Sequence, residues 1–148
     1  MCEGPLISEA IERLAKRLLP RGYSLKAADL NMYRYNIYHE NKPIPMAQFG
    51  LTPLPGCECA VLVSHGAWVA DDHRGKGLGT ALLQIRTEAI KQAGYALALA
   101  TVRSDNQVER KLLYKAGWRR ARSFTPYPHL DHTVQLWILR PESEKERR

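Results

Sequence analysis

The stretch Val69-Ala-Asp-Asp-His-Arg-Gly-Lys-Gly-Leu-Gly79 decides how this chain folds. Before it lies an apolar run ending in Ala67-Trp68-Val69. After it, Leu78, Ala81, Leu82, Ile85, Ala89, Ile90 and Ala93 recur at helical spacing. A buried strand therefore breaks into a loop whose glycines, Gly75, Gly77 and Gly79, open a helix. Such a loop leaves backbone N–H groups free at the positive end of the helix dipole, with the cations Arg74 and Lys76 beside them. That combination predicts an anion site, and two adjoining phosphates would suit it. It is neither of the two common nucleotide loops. A dinucleotide fingerprint needs glycine where the chain has Thr80 or Leu82. A P-loop needs Ser or Thr after Gly-Lys, where Gly77 stands.

The remaining punctuation extends this nucleus to a single domain spanning residues 1–148. Ser8 is placed to cap a helix over about 7–19, with Ile11, Leu14, Ala15, Leu18 and Leu19 on its apolar face and Pro20 and Gly22 ending it. Tyr23 to Leu30 reads as a connector with some helical turn. Met32 to His39 and Pro45 to Leu54 form a hairpin around Glu40-Asn41-Lys42-Pro43. Cys59 to Val69 is the strand that enters the loop, and the helix runs from Leu78 to Ala93, stopped by Gly94. Tyr95 to Val102 is almost wholly apolar, so it is expected to be a central strand buried on both faces. A right-handed crossover makes it parallel to the strand before the loop. Ser104-Asp105-Asn106 starts a second helix that ends near Gly117. Trp118 to Phe124 and Val134 to Leu139 close a mixed sheet, and the tail from 141 is expected to fray.

Composition limits the function classes. Apolar residues at 45% and charged ones at 25% suit a soluble globular domain, and no run of 18 apolar residues suggests a membrane span. No basic segment followed by an apolar stretch marks a leader. The spacing Cys57-Glu58-Cys59 fits neither a zinc knuckle nor a redox pair. It predicts reduced, buried thiols on one face of a strand and a cytoplasmic protein. A net charge of +7 suits acidic partners, a phosphorylated cofactor or nucleic acid.

The segment Arg74-Gly-Lys-Gly77-Leu-Gly79 fits Arg/Gln-x-x-Gly-x-Gly/Ala, with Val69 five residues ahead, a buried strand after, and then an Asn-started helix ending in Gly117-Trp118. This combination resembles the GNAT superfamily of acyl-CoA-dependent N-acyltransferases, specifically from His65 to Trp118 and as an order of elements from Met32 to Leu139. The resemblance implies a mixed, mostly antiparallel sheet flanked by helices, with a splayed parallel pair at its centre and a cofactor-binding core over about 59–118. It implies that acetyl-CoA is a co-substrate. The main chain of Trp68 and Val69 would pair with the pantetheine arm. The Val69 amide would face the thioester oxygen. Arg74, Gly75, Lys76, Gly77, Leu78, Gly79 and Thr80 would hold the diphosphate, and Asn106 would bond the pantetheine. The position that often carries the family's proton-donating tyrosine falls on Leu113, one residue before Tyr114, so either Tyr114 or water protonates the leaving thiolate. Leu112-Leu113 there is similar to the branch that modifies protein N-terminal amines.

Chemistry adds a demand. Deprotonating a lysine-like amine at pH 7 costs about 4.6 kcal/mol, so a base or a water relay must accept that proton. Strand alternation puts His65 on the face of Ala67 and Val69, and the arylalkylamine branch is similar in carrying a histidine there. His65 is the candidate base. Cys57 and Cys59 lie ten or more residues from the transfer point, which excludes them as acyl carriers and leaves direct attack by the amine. Glu40 and Glu58 read as surface carboxylates. His129, Asp131 and His132 lack a further ligand cluster, so no metal is expected; the resemblance, in which the loop between the last two strands borders the acceptor site, implies that with Tyr127 they are acceptor contacts. The expected activity is acetyl transfer to a primary amine. Two other classes stay open: a non-catalytic acyl-CoA-binding regulator, and a nucleic-acid-associated protein. The amine itself, a peptide N-terminus, lysine, polyamine, aminoglycoside or small metabolite, is not specified. Exposed edge strands would suit a homodimer.

Overall fold

The computed structural model describes residues 4–29, 33–128 and 131–141. Helix α1 (Gly4–Leu18) is followed by four strands, β1 (Tyr23–Asp29), β2 (Arg34–His39), β3 (Ala47–Pro53) and β4 (Val61–Val69). A short 3-10 turn over Asp71–His73 leads through the glycine loop to α2 (Leu78–Gln92). Then come β5 (Leu97–Arg103), α3 (Gln107–Lys115), β6 (Arg119–Phe124) and β7 (Val134–Leu139). The seven strands form one sheet in the order β1-β2-β3-β4-β5-β7-β6. Every neighbouring pair is antiparallel except β4 and β5, as the crossover through α2 requires.

Three expectations change. The helix begins before Ser8, so Ser8 is not its cap; its hydroxyl instead shares a hydrogen bond of 2.9 Å with the Tyr35 hydroxyl on β2. Tyr23 to Asp29 is an edge strand and not a helical connector. Its backbone pairs along β2 from Tyr23–His39 to Asp29–Arg34, a long-range partner that its own weak pattern does not reveal. Strand β5 is fully buried on one face only: Ala98, Ala100 and Val102 are enclosed, while Thr101 and Arg103 are exposed. The helices explain this. Tyr35, Phe49, Leu62, Ala98, Ala100 and Trp137 share the buried face, against which α1 and α2 pack.

The cysteines depart from their expected burial on a strand. Cys57 and Cys59 lie in the turn ahead of β4, both exposed. Cys57 is a free thiol, whereas Cys59 is disulfide-bonded. Met32, His129 and the tail from 142 lie outside the described residues.

Helix α2 is held to the end of α3 by one buried polar contact. Trp118, wholly buried, donates its indole N–H to Thr87 Oγ1 at 3.0 Å. Trp118→Phe or Thr87→Val should each lower stability by about 1–3 kcal/mol in urea unfolding, because either leaves a buried polar group without its partner. The double variant should cost less than the sum of the two. Simple additivity would show that the pair is not coupled.

Candidate active site

Strands β4 and β5 pair in parallel only from Val61–Leu97 to Ser64–Ala100. Beyond Ser64 they part, and β4 continues alone on that side for five residues. Its other edge stays on β3, where Gln48 faces Trp68 and Ala47 faces Val69. Ala70 donates its N–H to Met46 O at 2.8 Å. Since antiparallel pairs alternate between bonded and non-bonded, Val69 turns its own N–H and C=O away from β3, into the gap. The Val69 carbonyl accepts from Arg74 Nε at 3.1 Å, and the Arg74 guanidinium also meets Asp71 at 3.2 Å. Arg74 thus ties the loop to the end of the strand.

A cleft of about 620 Å³ opens here, lined by Ala67 to Val69, by Arg74, Gly75, Gly77, Gly79 and Thr80, by Leu82 and Arg86 of α2, and by Asn106, Val108, Glu109 and Leu112 around the start of α3. Gly75 and Gly77 hold φ of 77° and 81°, a conformation that side-chain-bearing residues rarely adopt. Gly77 is the N-cap of α2 and supplies no side chain to it. Among the described residues, the N–H groups from Gly75 to Thr80 donate to no protein carbonyl. They form a nest of N–H groups at a helix N-terminus, an arrangement whose chemistry fits a diphosphate. Leu78 contributes only its backbone, its side chain being buried in the core, and Lys76 is exposed at the rim.

Asn106 serves two ends at once. Its side-chain oxygen caps α3 by accepting from Glu109 N at 3.1 Å, and its amide nitrogen, with no protein acceptor among the described residues, remains a donor at the cleft. Trp68 is 42% exposed and lines the same cleft, its indole 3.4 Å from Gln48 Oε1.

His65 is placed differently from its alternation. Gln48 pairs with Trp68 but Gly50 pairs with His65, so Phe49 stands opposite both Gly66 and Ala67. This bulge, with Gly66 at φ 63°, shifts the pleat by one residue. His65 therefore shares the outer face with Trp68, Gln48 and Thr52, while Val69 pairs with the buried Ala47. The imidazole lies over Gly50, where a Cβ would come within 2.6 Å of its Cε1, and its Nε2 meets Thr52 Oγ1 at 2.5 Å. Tyr114 is not drawn into the cleft. It is 59% exposed with Arg119 stacked 4.2 Å from its ring, and Leu112 takes the cleft side of α3 while Leu113 is buried. Tyr127 is exposed too, and Asp131 and His132 approach to 3.7 Å. Among the described residues no group of three or more potential ligands could hold a metal.

Two features escape a reading from sequence. His73, buried on the 3-10 turn, shares a 2.6 Å hydrogen bond between its Nδ1 and the Tyr23 hydroxyl, and its ring meets that of His39 edge-on at 5.0 Å. This cluster pins the glycine loop to the β1–β2 edge, and only the pairing of β1 brings Tyr23 there. Arg86 is the second: a helix-spaced arginine reads as solvated, yet its side chain is buried beneath β4.

The acetyltransferase (GNAT) family model matches residues 7–118, and the chain belongs to that family. No curated protein matches its sequence. Among solved structures of similar fold is a GNAT family acetyltransferase from Elizabethkingia anophelis with acetyl-CoA bound, 13% identical, covering 82% of this chain and 99% of that one with a TM-score of 0.66. A second is an Arabidopsis thaliana protein in complex with the bisubstrate analogue CoA-Ac-MVNAL, 12% identical over 79% of this chain and 97% of that one, TM-score 0.65. A third is the ribosomal-protein-S18-alanine N-acetyltransferase from Escherichia coli, 17% identical over 96% and 90% of the two chains, TM-score 0.63. At these identities the likeness establishes the fold.

Burial, and after it the charge of Arg34, pulls the His65 imidazole below its ordinary pKa of 6.5. The ring is then neutral at pH 7 and able to accept a proton. An NMR titration should give a His65 midpoint below 6.5, rising toward it in Arg34→Met. A midpoint above 6.5 would contradict the placement of the ring.

Proposed function

We propose that this chain is an N-acetyltransferase that moves an acetyl group from acetyl-CoA to a primary amine by direct attack within a ternary complex. The observation that carries the reading is the continuous cleft. It begins at the six N–H groups from Gly75 to Thr80, which donate to no carbonyl among the described residues, and runs along the open edge of β4 to the point where β4 and β5 part.

In this reading the amides from Gly75 to Thr80 hold the diphosphate, and the helix dipole adds to their attraction. The free edge at Trp68 and Val69 receives the pantetheine arm as an added strand. Asn106 donates its side-chain N–H to the same arm. The Val69 N–H, already turned into the gap, stabilises the oxyanion that develops on the thioester carbonyl. His65, neutral on the outer face of the sheet, accepts the amine proton directly or through water. The amine then approaches from that outer face while the acyl donor enters from the helix side. Residues 1–148 act as one domain.

At a hundredfold excess over its dissociation constant, acetyl-CoA should stabilise the protein by about 2.7 kcal/mol, and an amine panel should then release free CoA thiol. The panel includes lysine, a polyamine, an aminoglycoside and a short peptide with a free N-terminus; a similar fold is a ribosomal-protein-S18-alanine N-acetyltransferase. No stabilisation at millimolar acetyl-CoA sinks the reading. Stabilisation without thiol release from any amine leaves a binding protein in place of an enzyme.

Val69→Pro removes the proposed oxyanion donor without breaking a bond to β3. It should lower kcat by about 10²–10³ while changing the affinity for CoA far less. Equal losses in both would count against the assignment.

A further inference from the structure

Arg86 is 6% exposed, yet it lines the cleft. Its Nε donates to Leu82 O at 3.2 Å and its Nη1 to Ser64 Oγ at 2.8 Å, and the guanidinium carbon lies 5.4 Å from the centre of the Phe49 ring. Among the described residues Nη2 donates to no protein acceptor, and no carboxylate comes within 4.0 Å of the guanidinium. Glu109 on α3 is the carboxylate whose field reaches it, without forming an ion pair. A buried cation without a bonded counter-ion is costly, and burial pulls this one down to about 10, still charged at neutral pH.

Its position says which anion it faces. Ser64 is the last β4 residue paired to β5, so the guanidinium stands where the two strands part. Along α2 it lies eight residues beyond Leu78, about 12 Å from the anion nest at 1.5 Å per residue. The guanidinium is flanked by Phe49, opposite Gly66 and Ala67, so an arm anchored by its diphosphate at the nest and laid along β4 past the Val69 N–H would carry its sulfur toward it. Tyr114, the one tyrosine on α3, is outside the cleft.

We propose that Arg86 is a catalytic residue that stabilises the departing CoA thiolate by its charge, in place of a tyrosine acid. The inference rests on the acetyltransferase reading above. In the step concerned, the amine lone pair forms the C–N bond and the C–S bond breaks. Its electron pair leaves on sulfur, facing the guanidinium, and the amine proton goes to His65 or water. The thiolate needs no proton before it departs.

The test uses free coenzyme A and the full chain, reading thiolate absorbance against pH with the protein in excess. In the wild type the bound thiol should ionise below the ordinary thiol range of about 8.5. Arg86→Lys should keep most of that shift. Arg86→Met, of similar volume and free of buried charge, should raise the bound-thiol pKa by about one unit, a tenfold change, and lower kcat more than it raises the KM for acetyl-CoA. Circular dichroism and melting confirm that each variant folds. If Arg86→Met does not fold, the wild-type titration alone decides. Coenzyme A bound with an ordinary thiol pKa overturns the proposal and leaves the acetyltransferase reading intact. Failure of coenzyme A to bind the wild type removes both. A shifted thiol that is unchanged in Arg86→Met also overturns it, as does a loss confined to acyl donors with a carboxylate tail.

Discussion

Everything in this site depends on the short parallel pairing of β4 and β5. Four residue pairs hold the strands together, and then Ser64–Ala100 is the last. A strand edge left without a partner must find other acceptors and donors or present them to a ligand. On β4 one side remains satisfied by β3, and the other side is open for the length of the cleft. The bulge opposite Phe49 interrupts the pleat of β4 on the stretch that leads into the glycine loop. The open edge and the anion nest therefore form one surface.

The two ends of that surface use different electrostatics. At the mouth, neutral backbone amides and a helix dipole would attract phosphate without a buried charge, and the cations Arg74 and Lys76 remain at the rim. At the floor stands a single guanidinium, enclosed by Phe49, Ser64 and Leu82. Its planar fork bonds Leu82 and Ser64 and leaves Nη2 without a protein acceptor among the described residues, which a lysine ammonium on a flexible stem would do less rigidly. Contacts remote from the cleft keep these ends in register. Trp118 bonded to Thr87 fixes α2 against the end of α3, and Tyr23 bonded to His73 fixes the glycine loop against the sheet edge.

Much of the frame is legible in the residues themselves. Helix α2 is found where its apolar periodicity and the glycines on either side put it, and β7 spans Val134–Leu139 as its alternation predicts. Asn106 is readable as a cap and as a ligand; both are compatible, because the cap uses its oxygen and leaves its nitrogen. Strand β1 is not legible. Its alternation is weak and polar, and an edge strand is stabilised by backbone pairing with β2, which is blind to side-chain pattern. The thiols mislead for a related reason, since exposure at Cys57 follows from a turn that the apolar run beyond it conceals.

What the sequence determined by itself is local: the left-handed glycines, the helix that follows them, the apolar strands and the crossover that makes β4 and β5 parallel. These depend on backbone sterics and on periods of two and 3.6, which neighbouring residues already encode. Only the tertiary structure decided which groups meet in the cleft. One extra residue at Gly66–Ala67 moved His65 to the outer face, half-exposed Tyr114 turned away, and Arg86, eight residues into a helix, came to rest beneath the parting strands. Those placements depend on registers and packing between distant segments. A one-residue shift in register reverses the face of every side chain beyond it, and no local pattern records that.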